Sequence, residues 1–177
     1  MRIVAISLAV LGAGLLSGCG GFTPYSASSG PQAVLHIVRP ESEPTGFQAP
    51  PHWFFAYANP DCQLTEQGGF LGSIGWDVGA ELERPVAAGQ RLYLRSITRE
   101  VRFGGSTMIT NFCTNMASFV PEAGRRYRFQ QEVTYPGCRV ALVDEDTNHR
   151  PPSFQLEPVA RRCAEFDGYT DGETAAS

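Results

Sequence analysis

The chain has 177 residues and a formal charge of −4, with 18 acidic side chains against 14 basic ones, all of them Arg. That balance argues against non-specific binding to nucleic acid, so no nucleic-acid partner is expected. The 19 Gly and 13 Pro are many for a helical protein, whereas 11 Phe and 6 Tyr suit pleated surfaces.

Residues 1–18 read as a secretory signal peptide. Arg2 supplies a positive charge, Ile3 to Leu16 is apolar and small, and Ser17-Gly18 offers a peptidase an accessible backbone. The apolar run is too short to span a bilayer, which takes about 20 residues. Leu16-Ser17-Gly18-Cys19 resembles a bacterial lipobox, in which the Cys thiol is acylated and becomes the mature N-terminus. Several acyl chains on one residue give a stable anchor. Lipidation is therefore expected at Cys19, with membrane attachment through that lipid. Gly20 in place of Asp, by resemblance to enteric lipoproteins, points to the outer membrane, with the domain facing the periplasm. Cleavage before Cys19 would leave 159 residues, enough for one domain.

Residues 19–31, small and turn-rich after the Cys, read as a flexible linker. A first strand is expected over Gln32 to Val38, with Ala33, Leu35 and Ile37 on one face and Val34, His36 and Val38 on the other. Four prolines in residues 40–51 make a loop. The aromatic run Trp53 to Ala58 reads as a buried strand, and Asn59-Pro60-Asp61 turns the chain before Cys62. Phe70 to Trp76 is a strand punctuated by Gly, a sign of a bulge or close backbone approach. Residues 77–89 carry no clear pattern beyond a turn over Pro85 to Gly89.

Gln90 to Ile97 is the clearest strand in the middle. Val101 to Phe103 leads to a turn at Gly104-Gly105, and Met108 to Phe112 extends toward Cys113. From Ala117 to Val143 the turn spacing reads as an antiparallel meander, with Tyr127, Phe129 and Val133 facing in and Arg126, Arg128 and Gln130 facing out. Asp144 to Pro152 is a polar loop and Ser153 to Leu156 a last short strand. Residues 164–177, with four acidic and no basic side chains, are expected to be disordered. The expected architecture is all-β, an antiparallel β-sandwich of Ig-like or prealbumin-like type over residues 32–163.

Cys62, Cys113, Cys138 and Cys163 form an even set in an exported chain, which implies two disulfides. Three pairings are possible. The meander favours Cys113 with Cys138, leaving Cys62 with Cys163. Strands two apart stand about 9–10 Å from each other, so the first bond requires Cys113 to stray past its strand end. The wide spacings suggest neither a zinc site nor a redox pair.

The opening Ala33-Val34-Leu35-His36-Ile37-Val38-Arg39-Pro40 is followed by Phe70 to Gly75, then Pro85 to Leu94, then Pro121 to Phe129. This layout is similar to a loose group of proteobacterial lipoproteins with small β-sandwich domains, of the DUF2846 and PEGA-like kind. Ala88-Gly89 and Ala123-Gly124 stand at the group's two turn positions and Tyr127 at its aromatic one. The likeness spans residues 33–143, with a long 40–69 insertion and four extra cysteines as departures. It implies a fold class and an envelope location, and carries over no catalytic residue.

Asp144-x-Asp146-x-Asn148 has the oxygen spacing of a calcium loop, but His149 and Gln155 stand where Gly and Glu belong. It is a weak metal candidate, and a solvated hairpin loop would look the same. His36, His52 and His149 fall in no ligand motif. Gly72-Ser73-Ile74-Gly75 is not a nucleophile elbow and Gly104 to Thr107 is not a phosphate loop. No enzyme activity and no cofactor are expected. Trp53 and Phe55 would suit a glycan or protein partner if exposed, and core packing if not. Arg125, Arg126 and Arg128 form a basic rim able to meet lipid phosphates, or a solvated sheet face. The function expected is a non-catalytic binding or structural module that docks an envelope protein or glycan. The alternative is a lipoprotein with a small-ligand or metal site in a loop, and less so a hydrolase.

Overall fold

The computed structural model describes residues 22–27, 29–41, 50–63, 68–75, 79–104, 107–134, 137–160 and 163. The expected signal peptide, Cys19, Trp76 and the tail from 164 lie outside them. Nine strands occur among the described residues: β1 Gln32–Val38, β2 His52–Tyr57, β3 Gly69–Ile74, β4 Glu81–Ala87, β5 Leu92–Gly104, β6 Thr107–Phe119, β7 Arg126–Thr134, β8 Gly137–Asp144 and β9 Gln155–Glu157. They build two sheets, one ordered β4-β1-β7-β8 and the other β3-β2-β5-β6-β9. The chain is all-β, and the two sheets share one core, as in a sandwich.

Alternation explains that core. Ala33, Leu35 and Ile37 of β1 are buried while their neighbours are half-buried, as the period of two demands. They meet Phe129 of β7 and Leu142 of β8 on one side, and Phe54, Ala56, Leu94 and Phe119 of the other sheet across the gap. Phe54 and Phe129 stand edge to face with ring centroids 5.9 Å apart. A second cluster covers the outer face of the five-stranded sheet. Phe55, Tyr57, Ile97 and Met116 pack there under Cys62 and Cys163, which form a disulfide with Cα atoms 5.3 Å apart. Arg95, only 1 % exposed, lies in this layer with its guanidinium 5.9 Å from the centroid of Phe55.

Four expectations are corrected. The stretch 117–143 is not a meander in one sheet: β6 pairs with β5, whereas β7 pairs with β8 and runs parallel to β1. Pro85 to Ala87 belong not to a turn but to β4, which pairs antiparallel with β1. β4 buries only Val86 and Ala87 fully, so it lacks an alternating signal, and as an edge strand it accepts Pro85. β5 and β6 form one hairpin of 13 residues a side, longer than the patterned 90–97 core suggests.

Finally, residues 22–27, expected within a flexible linker, lie bonded along β3. Phe70 N–H donates to the Thr23 carbonyl (2.8 Å), Tyr25 N–H donates to that of Phe70 (2.9 Å), and the Tyr25 hydroxyl accepts from Ala87 N–H (3.1 Å). Gly69 permits this approach, since a Cβ there would come within 2.9 Å of the Pro24 backbone. The expected irregularity of the Gly-punctuated strand is also present, as a register shift of β3 against β2 between Phe54 and Phe55.

Candidate functional site

Three polar groupings stand out on this scaffold. The first is interior. Ser96 and Thr98 of β5 continue the inward face that begins with Leu92 and Leu94, and meet Gln131 of β7 between the sheets. All three are buried. Gln131 accepts from Ser96 and from Asn115 Nδ2 (3.2 Å), and donates to Thr98 (2.5 Å) and to the Cys113 carbonyl (3.2 Å). Both donors and the acceptor oxygen of its amide are thereby satisfied. Thr98 Oγ1 also bonds His52 Nδ1 at 2.9 Å, which ties the imidazole into the network. His52 is 0 % exposed, out of reach of any substrate.

The second grouping lies on the outer face of the four-stranded sheet. His36 on β1 sits between Glu145 (Nδ1 to Oε1, 2.8 Å) and Glu81 (Nε2 to Oε2, 3.1 Å). Arg126 on β7 reaches Glu83 (2.5 Å) and Glu145 (3.1 Å). Both ring nitrogens of His36 face carboxylates, so both are best satisfied as donors, which means an imidazolium. Partial burial works against that charge, but the hydrogen bonds that His36 donates to Glu145 and Glu81 outweigh it and hold the pKa above its ordinary value. The Arg126 hydrogen bond lowers the Glu83 pKa, and for Glu145 the bonds from His36 and Arg126 overcome the opposing effect of burial.

Two of the three arginines of the expected basic rim, Arg125 and Arg126, are therefore paired with carboxylates. Arg126 faces two carboxylates, Arg125 faces Asp146 at 3.0 Å with Glu122 and Asp144 near 4 Å, and Arg128 donates to Asn148 at 3.5 Å. The acidic partners Glu81 and Glu83 come from a strand more than 40 positions earlier, invisible to a local reading.

The third grouping is a cleft of about 310 Å³ between the turn before β7 and the loop after β8. Arg125, Tyr127, Asp144, Thr147, His149 and Arg150 are among the residues that line it. Tyr127 accepts from Glu122 N–H at its hydroxyl (3.0 Å), and the Arg150 guanidinium lies 5.1 Å from the centroid of Phe154. Burial raises the Tyr127 pKa. The cleft holds donors and acceptors of both signs, which suits a small polar ligand.

The calcium reading of this loop fails on geometry. Asp144 Oδ1 accepts from the N–H groups of Asp146 and Thr147 (both 3.0 Å), as in an Asx turn. Arg125 occupies Asp146, and Asn148 adopts a left-handed φ of 55° that closes the turn and sends its Oδ1 toward Arg128. Among the described residues no three His, Cys, Asp or Glu side chains are grouped to hold a metal ion.

The aromatic candidates divide. Phe55 is 4 % exposed and buried in the outer cluster, so it offers no surface, and Trp53 is half-buried beside it. A sequence reading misses Phe22, 46 % exposed, whose ring packs on Phe55 and Phe70 at 5.1 and 5.0 Å.

No protein-family model matches this chain, and neither a curated protein nor a solved structure matches it significantly.

Proposed function

We propose that the protein is a lipid-anchored envelope lipoprotein whose β-domain acts as a non-catalytic binding or structural module, tethered to the outer membrane and facing the periplasm. One observation carries this reading: the lipobox-like Leu16-Ser17-Gly18-Cys19 lies three residues before Phe22, where the chain is already seated against the sheet edge. Two disulfides, Cys62–Cys163 and Cys113–Cys138, fit an oxidising compartment. An Ig-like or prealbumin-like class, and kinship with the DUF2846 and PEGA-like lipoproteins, belong to the same proposal. The expected partner is an envelope protein or glycan.

Metabolic labelling with palmitate tests it. The wild type is expected to take up label and sediment with membranes, and Cys19→Ser to lose both. An unlabelled wild type would refute the anchor.

The cleft at Arg125 and Arg150 favours a second reading, a small-ligand lipoprotein. A chemical-shift screen of small polar ligands should then move Thr147 and His149 resonances in the wild type, and leave them still in Arg150→Ala. A hydrolase is disfavoured because His52 is sealed inside and His36 is spent on two carboxylates and a sheet face.

A further inference from the structure

We infer that the outer face of the five-stranded sheet lies flat on the bilayer that holds the anchor, with Phe22 at its leading edge. This rests on the lipidation of Cys19 proposed above and adds an orientation to it.

The first argument is reach. A chain spans at most about 3.6 Å per residue, so Phe22 stands no more than about 11 Å from Cys19. A domain of this size has a radius of gyration of roughly 14 Å. The tether is thus shorter than the body it holds, and the domain must touch the membrane on the side where the chain leaves it. The hydrogen bonds of Thr23 and Tyr25 to Phe70 and the Tyr25 bond to Ala87 keep that exit point fixed.

The second argument is where the apolar surface is. Of the large hydrophobic side chains exposed among the described residues, Phe22, Phe112 and Val159 bear on this face, while Leu156, paired with the core residue Ala117, points away from it. Phe22 packs on Phe55 and Phe70, on the outer side of the five-stranded sheet. Phe112 precedes the inward-facing Cys113 on β6 and so points outward by alternation. Val159 lies in the segment after β9 that crosses the same face, where Ala160 and Cys163 pack onto the outer cluster. The Arg99 guanidinium stands 5.9 Å from the centroid of Phe112, a cation beside an aromatic ring that suits the headgroup boundary.

The opposite face completes the asymmetry. The four-stranded sheet turns His36, Glu81, Glu83, Arg126 and Glu145 outward, a charged surface with three carboxylates that belongs in water. Three of the four exposed large hydrophobics among the described residues lie on the side of the five-stranded sheet from which the tether leaves, opposite this charged network.

The test uses the acylated, full mature protein in vesicles of phosphatidylethanolamine and phosphatidylglycerol with brominated acyl chains. Phe22→Trp, Phe112→Trp and Arg128→Trp serve as single reporters in a Trp53→Phe, Trp76→Phe background. At Phe22 and Phe112 we expect a blue-shifted emission quenched at least twofold by bromine, and at Arg128 no change. Hydrogen exchange on the unsubstituted protein gives a second readout, with the amides of Val159 and Ala160 slowed several-fold by vesicles. Quenching at Arg128, or at neither face while the protein is acylated and vesicle-bound, overturns the orientation and leaves the anchor intact. Shielding of Phe112→Trp that rises with protein concentration and ignores bromine reports a second copy on this face, and also overturns it. Absence of the acyl group removes the anchor and the orientation together.

Discussion

Cys113, midway along β6, is bonded to Cys138, at the start of β8, with the two Cα atoms 6.0 Å apart across the gap between the sheets. The bond ties one sheet to the other. Strands flanking a common neighbour in a single sheet stand too far apart for it, and the switch of sheets between β6 and β7 removes that obstacle. Asn115 Nδ2 donates to Cys138 Sγ at 2.8 Å, so the bond is continuous with the buried polar network.

Replacing Cys113 and Cys138 together by Ala should lower stability by about 3 kcal/mol, on loop-closure entropy for a separation of 25 residues. The wider Cys62–Cys163 link, with a separation of 101, should cost about 4–5 kcal/mol. Urea denaturation of each double variant checks both values. Equal losses would show that native strain or residual structure, rather than loop length, sets them.

Gln131→Leu should destabilise by roughly 1–3 kcal/mol, because the buried Thr98 and half-buried Asn115 lose a partner. Removing the whole set, as in Gln131→Leu with Thr98→Val and Ser96→Ala, should cost less than the sum of the single changes. A double-mutant cycle by chemical denaturation measures the difference.

Stability should peak in mildly acid solution. The raised His36 pKa contributes stability that is full below its unfolded value near 6.5 and is lost as pH rises through the folded value. Glu83 and Glu145 have lowered pKa values, so their contribution is full above about 4.5 and fades as pH falls through the folded values. Melting temperature should therefore be highest between those limits. His36→Gln should flatten the alkaline limb and leave the acid limb in place.

Gly69→Ala should free the N-terminal segment without unfolding the sheets. A methyl group there would press on the Thr23 and Pro24 backbone, and the φ of +155° suits Gly alone. Faster amide exchange at Tyr25 and Phe70, with the core exchange unchanged, is the expected signature. Protection equal to wild type would show that the segment shifts to accommodate the methyl.

Much of the strand content was legible because burial on one face of a pleat writes a period of two. β1 is the plainest case, and the inward Tyr127 and Phe129 of β7 follow the same rule. β4 was not legible, since an edge strand with most of its residues exposed has no alternation to read. The basic rim was legible as a row of Arg, but its neutralisation was not, because Glu81, Glu83 and Glu145 reach it through pairings between distant parts of the chain. Phe22 hid in a stretch whose composition reads as linker, where two backbone hydrogen bonds to Phe70 decide its place.

By itself the order of residues determined an all-β body, its first strand to the residue, the inward Tyr127 and Phe129 of β7 and the presence of two crosslinks. Those follow from local periodicity and from counting cysteines. Which strand lies beside which was decided only in three dimensions: the parallel β1–β7 pair, the jump between sheets after β6, and the charge network and cleft that these produce. Strand pairing joins backbone groups that are alike in every residue, so the chain's local pattern leaves the partner open. The packing of Leu35, Phe54 and Phe129 into one core then selects it.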